Sequence, residues 1–139
     1  LDESGMEPVQ NRIEKLPFMD WRQLPAVIAG LDINLMPLEN SLFHWCKSEN
    51  KWTEAALVKV PSVMSRNCEM EYVVENGKDG WMCTTKEEWV NALEALVTDE
   101  KARKAMGEAA HQKVMEHYLT VNTGKDAMEE LLCSESYTK

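Results

Sequence analysis

The sequence predicts an α/β fold, a parallel sheet with helices on its faces. Short apolar runs of strand length alternate with longer helical segments along the chain, and that alternation is the signature of strands joined by crossover helices. The 139 residues are 44% hydrophobic and 28% charged, enough to bury one ordinary core. One segment, "TKEEWVNALEALVTD" (85–99), carries both a helix start signal and an apolar stripe.

Residues 1–11, "LDESGMEPVQN", read as a loose lead-in, and "RIEKL" (12–16) as a short strand stopped by Pro17. "DWRQLPAVIAGL" (20–31) predicts a short helix, because Leu24, Val27, Ile28 and Leu31 recur on one face. Pro25 is tolerated there only near the helix start. "DINLMPL" (32–38) predicts a strand ending at a proline. A helix follows from about Ser48 to Val58, with the Ser48 hydroxyl as its N-cap. "VPSVMS" (60–65) predicts a buried strand. "CEMEYVVENGKDG" (68–80) holds a short helix and an Asn76-Gly77 turn, and "GWMCT" (80–84) a further strand. In the helix at 85–99, Thr85 and Glu88 form a capping box ahead of Trp89, Leu93 and Leu96. Asp99 caps another helix reaching residue 118, a last helix spans about 122–132, and the tail "SESYTK" frays.

The net charge of −9 argues against nucleic acid as a partner, because neutralising phosphates takes a basic surface. It leaves room for one local basic pocket. Cys46, Cys68, Cys83 and Cys133 form no CxxC pair, and His44, His111 and His117 lack metal-ligand spacing with them. The thiols therefore read as reduced, small and buried, in a cytoplasmic protein. No apolar run reaches the roughly 18 residues of a membrane span, so membrane contact in the full-length protein is expected to be peripheral. The nine methionines, Trp81 and Trp89 read as core; Trp45 stands out from them because it lies beside the candidate binding stretch at Lys47 and Ser48, and His111 and His117 read as surface.

The stretch "FHWCKSENKWTEAAL" (43–57) carries the chemistry. On one helix Lys47, Lys51 and Glu54 stand at i, i+4 and i+7 and share a face. In a parallel sheet ligands sit beyond the carboxyl ends of the strands, where helices begin, and this stretch follows a strand. A helix start attracts phosphate, Lys47 adds a charge, Ser48 and Lys51 donate hydrogen bonds, and Glu54 accepts from a vicinal diol such as ribose. The same spacing also fits a solvated helix face with a Lys51–Glu54 pair worth a few tenths of a kcal/mol.

The order "LPAVIAGLDINLMPLENSLF", "KSENKWTEAALVKVPSV", "VVENGKDGWMC" resembles the C-terminal domain of family 4 (group 1) two-domain glycosyltransferases, in a branch with Lys-Ser followed by Glu-Ala. Asp32, Pro37, Glu39, Phe43, Glu54-Ala55, Pro61, Val63, Gly77 and Gly80 stand at matching places. The resemblance implies a Rossmann-like sheet over 12–118, the nucleotide-sugar-binding C-terminal half of such an enzyme. Residues 119–133 correspond to a helix that returns to a missing N-terminal Rossmann-like domain. By the same resemblance Glu54 holds the donor ribose, Lys47, Ser48 and Lys51 meet the diphosphate, and the base packs near Leu16 and Phe18. Glu39 and His44 are further candidate donor contacts. The implied reaction is retaining transfer of a sugar from a nucleotide donor to a glycan or lipid-linked acceptor. It uses no metal and no cofactor, the nucleotide sugar being substrate, and the chain has no Asp-x-Asp motif. The family's other glutamate falls at Cys46, no catalytic residue is assigned, and this chain alone is expected to be inactive. A non-catalytic Rossmann-like scaffold and a nucleotide-sugar epimerase of similar build are the alternatives.

Overall fold

The computed structural model describes residues 6–39, 41–124 and 128. Three parallel strands, β1 (Asn34–Met36), β2 (Ser62–Ser65) and β3 (Trp81–Cys83), lie in that order in one sheet. Asn34 pairs with Ser62, and Val63 with Trp81. The helices are α1 (Leu24–Ala29), α2 (Leu42–Trp45), α3 (Asn50–Leu57), α4 (Cys68–Val73), α5 (Lys86–Thr98) and α6 (Glu100–His117). The architecture is the helix-flanked parallel sheet that the alternation of segments predicts.

Side chains alternate across the sheet and build two cores. On one face Met36, Met64 and Met82 pack with Trp52 and Ala56 of α3 and with Ala110 and Val114 of α6. On the other, Val63 and Cys83 pack with Ala92 and Leu96 of α5 and with Met106 of α6, and Trp81 and Trp89 lie half-buried against them. β2 is buried on both faces, the expected state of a central parallel strand. Trp52 is fully buried, and its Nε1 donates to the Asp79 carbonyl at 2.9 Å. Asp79 itself is buried, accepting from the Glu75 N–H at 2.8 Å and from Lys113 Nζ at 2.7 Å. These bonds fix the turn at 75–80, where Gly77 adopts φ 82°, a left-handed conformation that suits glycine.

Several expected elements differ. Residues 12–16 form no strand: Glu7–Arg12 is a 3₁₀ turn, and 13–18 is exposed irregular chain. A strand needs a neighbour for its backbone groups, and the only strand that β1 pairs with among the described residues is β2. The helix expected over 20–31 splits into a 3₁₀ turn at Trp21–Gln23, capped by Asp20, and α1, which keeps Pro25 in its first turn. Ser48 does not cap the next helix: α2, capped by Ser41, ends before it, and α3 begins at Asn50 with Glu49 at the N-cap position and no side-chain cap. The strand of 32–38 shortens to three residues. Thr85 and Glu88 do form the capping box, and Asp99 accepts from the N–H groups of Lys101 and Ala102.

Cys83 is buried as expected, but Cys46 and Cys68 are exposed; Cys133 lies outside the described residues. Five methionines (36, 64, 70, 82 and 106) are core, whereas Met6, Met115 and Met128 are exposed. His111 is half-buried, its Nδ1 donating to the Ala56 carbonyl at 3.1 Å, because α6 packs directly on α3. Residues 120–124 are helical, and most of the last expected helix lies outside the described residues. No helix is long and apolar enough to cross a membrane among the described residues.

Candidate functional site

A cavity of about 410 Å³ opens at the carboxyl ends of the three strands. β1 leads into Leu38 and Glu39 on its wall, and α2 adds His44 and Trp45. The end of β2 supplies Ser65, followed by Arg66 and Asn67, and α4 contributes Cys68 and Glu71. Cys83 and Thr84 come from the end of β3, and Trp89 from the first turns of α5.

Local hydrogen bonds hold this wall. Ser65 Oγ accepts from the Leu38 N–H at 2.8 Å and donates to the Leu38 carbonyl at 3.1 Å, joining the two strand-end loops. The Arg66 N–H donates to the Cys83 carbonyl at 3.0 Å. Arg66 Nη1 pairs with Glu71 Oε1 at 3.1 Å. The Asn67 Oδ1 accepts from the Met70 N–H at 2.8 Å, capping α4, so its amide is fixed in one orientation. Its Nδ2 is buried and has no hydrogen-bond partner. His44 Nδ1 and the Ser41 hydroxyl are hydrogen-bonded at 2.8 Å. Burial pushes the Cys83 thiol up, the Glu88 charge pushes it the same way, and Arg66 opposes them, so the site favours the thiol over the thiolate.

The residues singled out in the sequence fall into two groups. Glu39 and His44 line the cavity; Lys47, Ser48, Lys51 and Glu54 do not. Lys47 lies in the exposed link between α2 and α3, its Nζ 4.5 Å from the centre of the Phe43 ring. It therefore shares no helix with Lys51 and Glu54, and the three-residue stripe on one helix is not formed. Lys51 and Glu54 stand a turn apart on the exposed face of α3 and form no ion pair among the described residues. The first turn of α3 is tied to the first residue of β1, since Asn34 Nδ2 donates to the Lys51 carbonyl at 3.4 Å. Leu16 and Phe18 are exposed in the irregular N-terminal segment. Arg66, Asn67 and Glu71 escaped the sequence reading, although "SRNCEME" carries their signal: an Asn cap immediately after a buried strand.

The family described as "Glycosyl transferases group 1" matches residues 3–99, more than half of the chain. The chain belongs to the group 1 glycosyl transferases. No curated protein matches this group 1 chain. Among solved structures, HepE from Anabaena, in complex with UDP and glucose, superposes with a TM-score of 0.73 at 18% identity, covering 91% of this chain and 33% of HepE. HepE with UDP-glucose gives the same TM-score of 0.73, covering 34% of that protein. The C-terminal domain of the group 1 glycosyl transferase LpcC from Francisella tularensis gives 0.56 at 18% identity, covering 74% of this chain and 52% of that domain. The group 1 chain thus spans about a third of HepE and half of the LpcC domain. These likenesses show a shared Rossmann-like α/β fold.

Proposed function

We propose that this chain is the donor-binding part of a retaining glycosyltransferase that moves a sugar from a nucleotide sugar to a glycan or lipid-linked acceptor. Its domain is the 12–118 unit, and residues 119–133 return to an N-terminal Rossmann-like partner domain. The full-length protein is cytoplasmic with at most peripheral membrane contact. The nucleotide sugar is substrate, no metal or other cofactor takes part, and the chain alone does not turn over.

The observation that carries this reading is the exposed face of α3, where the Glu54 carboxylate stands beside Lys51 without an ion partner among the described residues. A solvated carboxylate accepts from a ribose diol without first breaking a salt bridge. Lys47, Lys51 and Ser48 offer donors to a diphosphate, stabilising the departing nucleotide as charge develops on it. Leu16 and Phe18 are exposed and supply apolar surface for the base. Glu39 and His44 take the sugar-proximal side, next to the strand ends. The complexes of HepE with UDP and with UDP-glucose make a uridine donor the first to test.

Calorimetric titration of the chain with UDP and GDP tests the proposal. A nucleotide binds weakly, and Glu54→Ala weakens it by about tenfold, the cost of a lost charged hydrogen bond. Absence of any nucleotide response, or unchanged binding by Glu54→Ala, overturns the proposal in favour of a non-catalytic scaffold. The exposed Cys46, at the position of the family's other glutamate, is the feature that favours that second reading.

A further inference from the structure

We propose that Asn76-Gly77 is a site of spontaneous deamidation that the folded turn between α4 and β3 holds closed. Neither residue lines the strand-end cavity or belongs to α3, so the inference stands apart from the donor reading.

Asparagine followed by glycine is especially open to this reaction, because no Cβ on the second residue shields its backbone nitrogen. The Gly77 nitrogen attacks Asn76 Cγ, a C–N bond forms there, and the bond from Cγ to Nδ2 breaks. Nδ2 leaves as ammonia, taking the proton of the Gly77 N–H, and a cyclic succinimide remains. Water then opens that ring at either carbonyl and leaves aspartate or isoaspartate at position 76. Both residues are exposed, so water reaches them.

In the folded turn each reacting group is engaged elsewhere. Asn76 Oδ1 accepts from the Met82 N–H at 2.7 Å, which holds the carboxamide toward β3. The Gly77 N–H donates to the Gly80 carbonyl at 2.8 Å and so keeps the proton it must lose. Asp79 fastens the turn from inside. Its carboxylate accepts from the Glu75 N–H at 2.8 Å and from Lys113 Nζ at 2.7 Å, and its carbonyl accepts from Trp52 Nε1 at 2.9 Å. Reaction therefore waits on opening of the turn, and its rate follows the population of the open state. Isoaspartate routes the main chain through the former side chain, which removes the acceptor for the Met82 N–H and keeps the turn from closing again. The site thus records opening as a permanent covalent change.

The test incubates the 139-residue chain at mildly alkaline pH, folded and in guanidinium chloride, and follows aspartate and isoaspartate at position 76 by peptide mapping with mass spectrometry. The folded chain reacts at least about tenfold more slowly than the denatured one. Asp79→Ala removes the inner fastening, raises the folded rate by about fivefold or more, and leaves the rate in denaturant unchanged. Lys113→Met strands the buried Asp79 charge but spares its bond to the Glu75 N–H. It raises the folded rate by a smaller factor and serves as the test variant where circular dichroism shows Asp79→Ala unfolded. Lys59→Val, altered at the end of α3 away from Trp52, leaves the folded rate unchanged. The proposal is overturned if the folded chain reacts as fast as the denatured one, or if neither reacts at Asn76. It is equally overturned if the folded variant at Asp79 or Lys113 keeps the parent's rate, or if Lys59→Val speeds the reaction as much as they do.

Discussion

Lys59 shows how one residue sets a helix end against its own preference. The Val60 N–H returns to the Ala55 carbonyl at 3.0 Å and the Lys59 N–H to the Ala56 carbonyl at 3.0 Å, closing α3 with a Schellman motif. The residue at the left-handed position is usually glycine; here it is Lys59, with φ 63°. A left-handed non-glycine residue costs about 1–2 kcal/mol. Lys59→Gly removes that cost but adds chain entropy to the unfolded state and loses an exposed ion pair with Glu108. These terms nearly cancel, and urea unfolding of Lys59→Gly is expected within about 0.5 kcal/mol of the parent. Lys59→Val offers no such compensation. A β-branched residue fits this backbone worst, and the variant loses about 1–2 kcal/mol. Equal stability of the two variants refutes the argument.

At the scale of single elements, α5 is the helix whose start is governed most locally. Thr85 Oγ1 accepts from the Glu88 N–H at 3.2 Å, and Glu88 Oε2 accepts from the N–H groups of Thr84 at 2.6 Å and Thr85 at 3.0 Å. Those backbone donors hold the Glu88 carboxyl below its ordinary range. A carboxylate with a lowered folded pKa contributes its stability above the unfolded value, about 4.3, and loses it as pH falls through the folded value. Thermal unfolding followed downward from neutral pH therefore shows a loss below about pH 4.3 that Glu88→Gln makes shallower. Part of the slope remains in that variant, because Glu75, Glu100 and Glu108 are likewise held low by Lys78, Lys104 and Lys59. Thr85→Ala removes the other half of the box and costs about 1 kcal/mol at neutral pH. An unchanged acid limb in Glu88→Gln removes the linkage. This element was legible because its signals sit within four residues of one another. The start of α3 was not: Trp52, anchored on Asp79, is 27 residues from its partner in sequence. The strand expected at 12–16 failed for a related reason, since its alternation carries no information about a neighbour. Glu39 and His44, candidates in the sequence, follow β1 and line the strand-end cavity, because chain that leaves a parallel strand's carboxyl end borders that side of the sheet. The Asn67–Glu71 wall required the fold, which brings three strand ends together.

Over the whole molecule, α6 unites what would otherwise be two separate cores. Its Met106 packs with Val63 and Leu96 beyond one face of the sheet, and its Ala110 and Val114 pack with Trp52 and Met64 beyond the other. That crossing brings the helix onto the chain between α3 and β2, where a Cβ on Gly107 would collide with the Lys59 carbonyl oxygen and touch Pro61. Two opposing effects of Gly107→Ala can be weighed. Helix propensity favours alanine by about 1 kcal/mol. The collision is with backbone that ends one helix and enters the central strand, so no flexible side chain can yield, and overpacking of this kind costs about 1–3 kcal/mol. The steric term wins, and Gly107→Ala is expected to destabilise by up to about 2 kcal/mol. Because one helix seals both cores, the loss is shared: tryptophan fluorescence and far-ultraviolet circular dichroism should melt together at a lower temperature. A stabilised variant shows that the helix can move away freely, and two separated transitions show that α6 does not couple the faces.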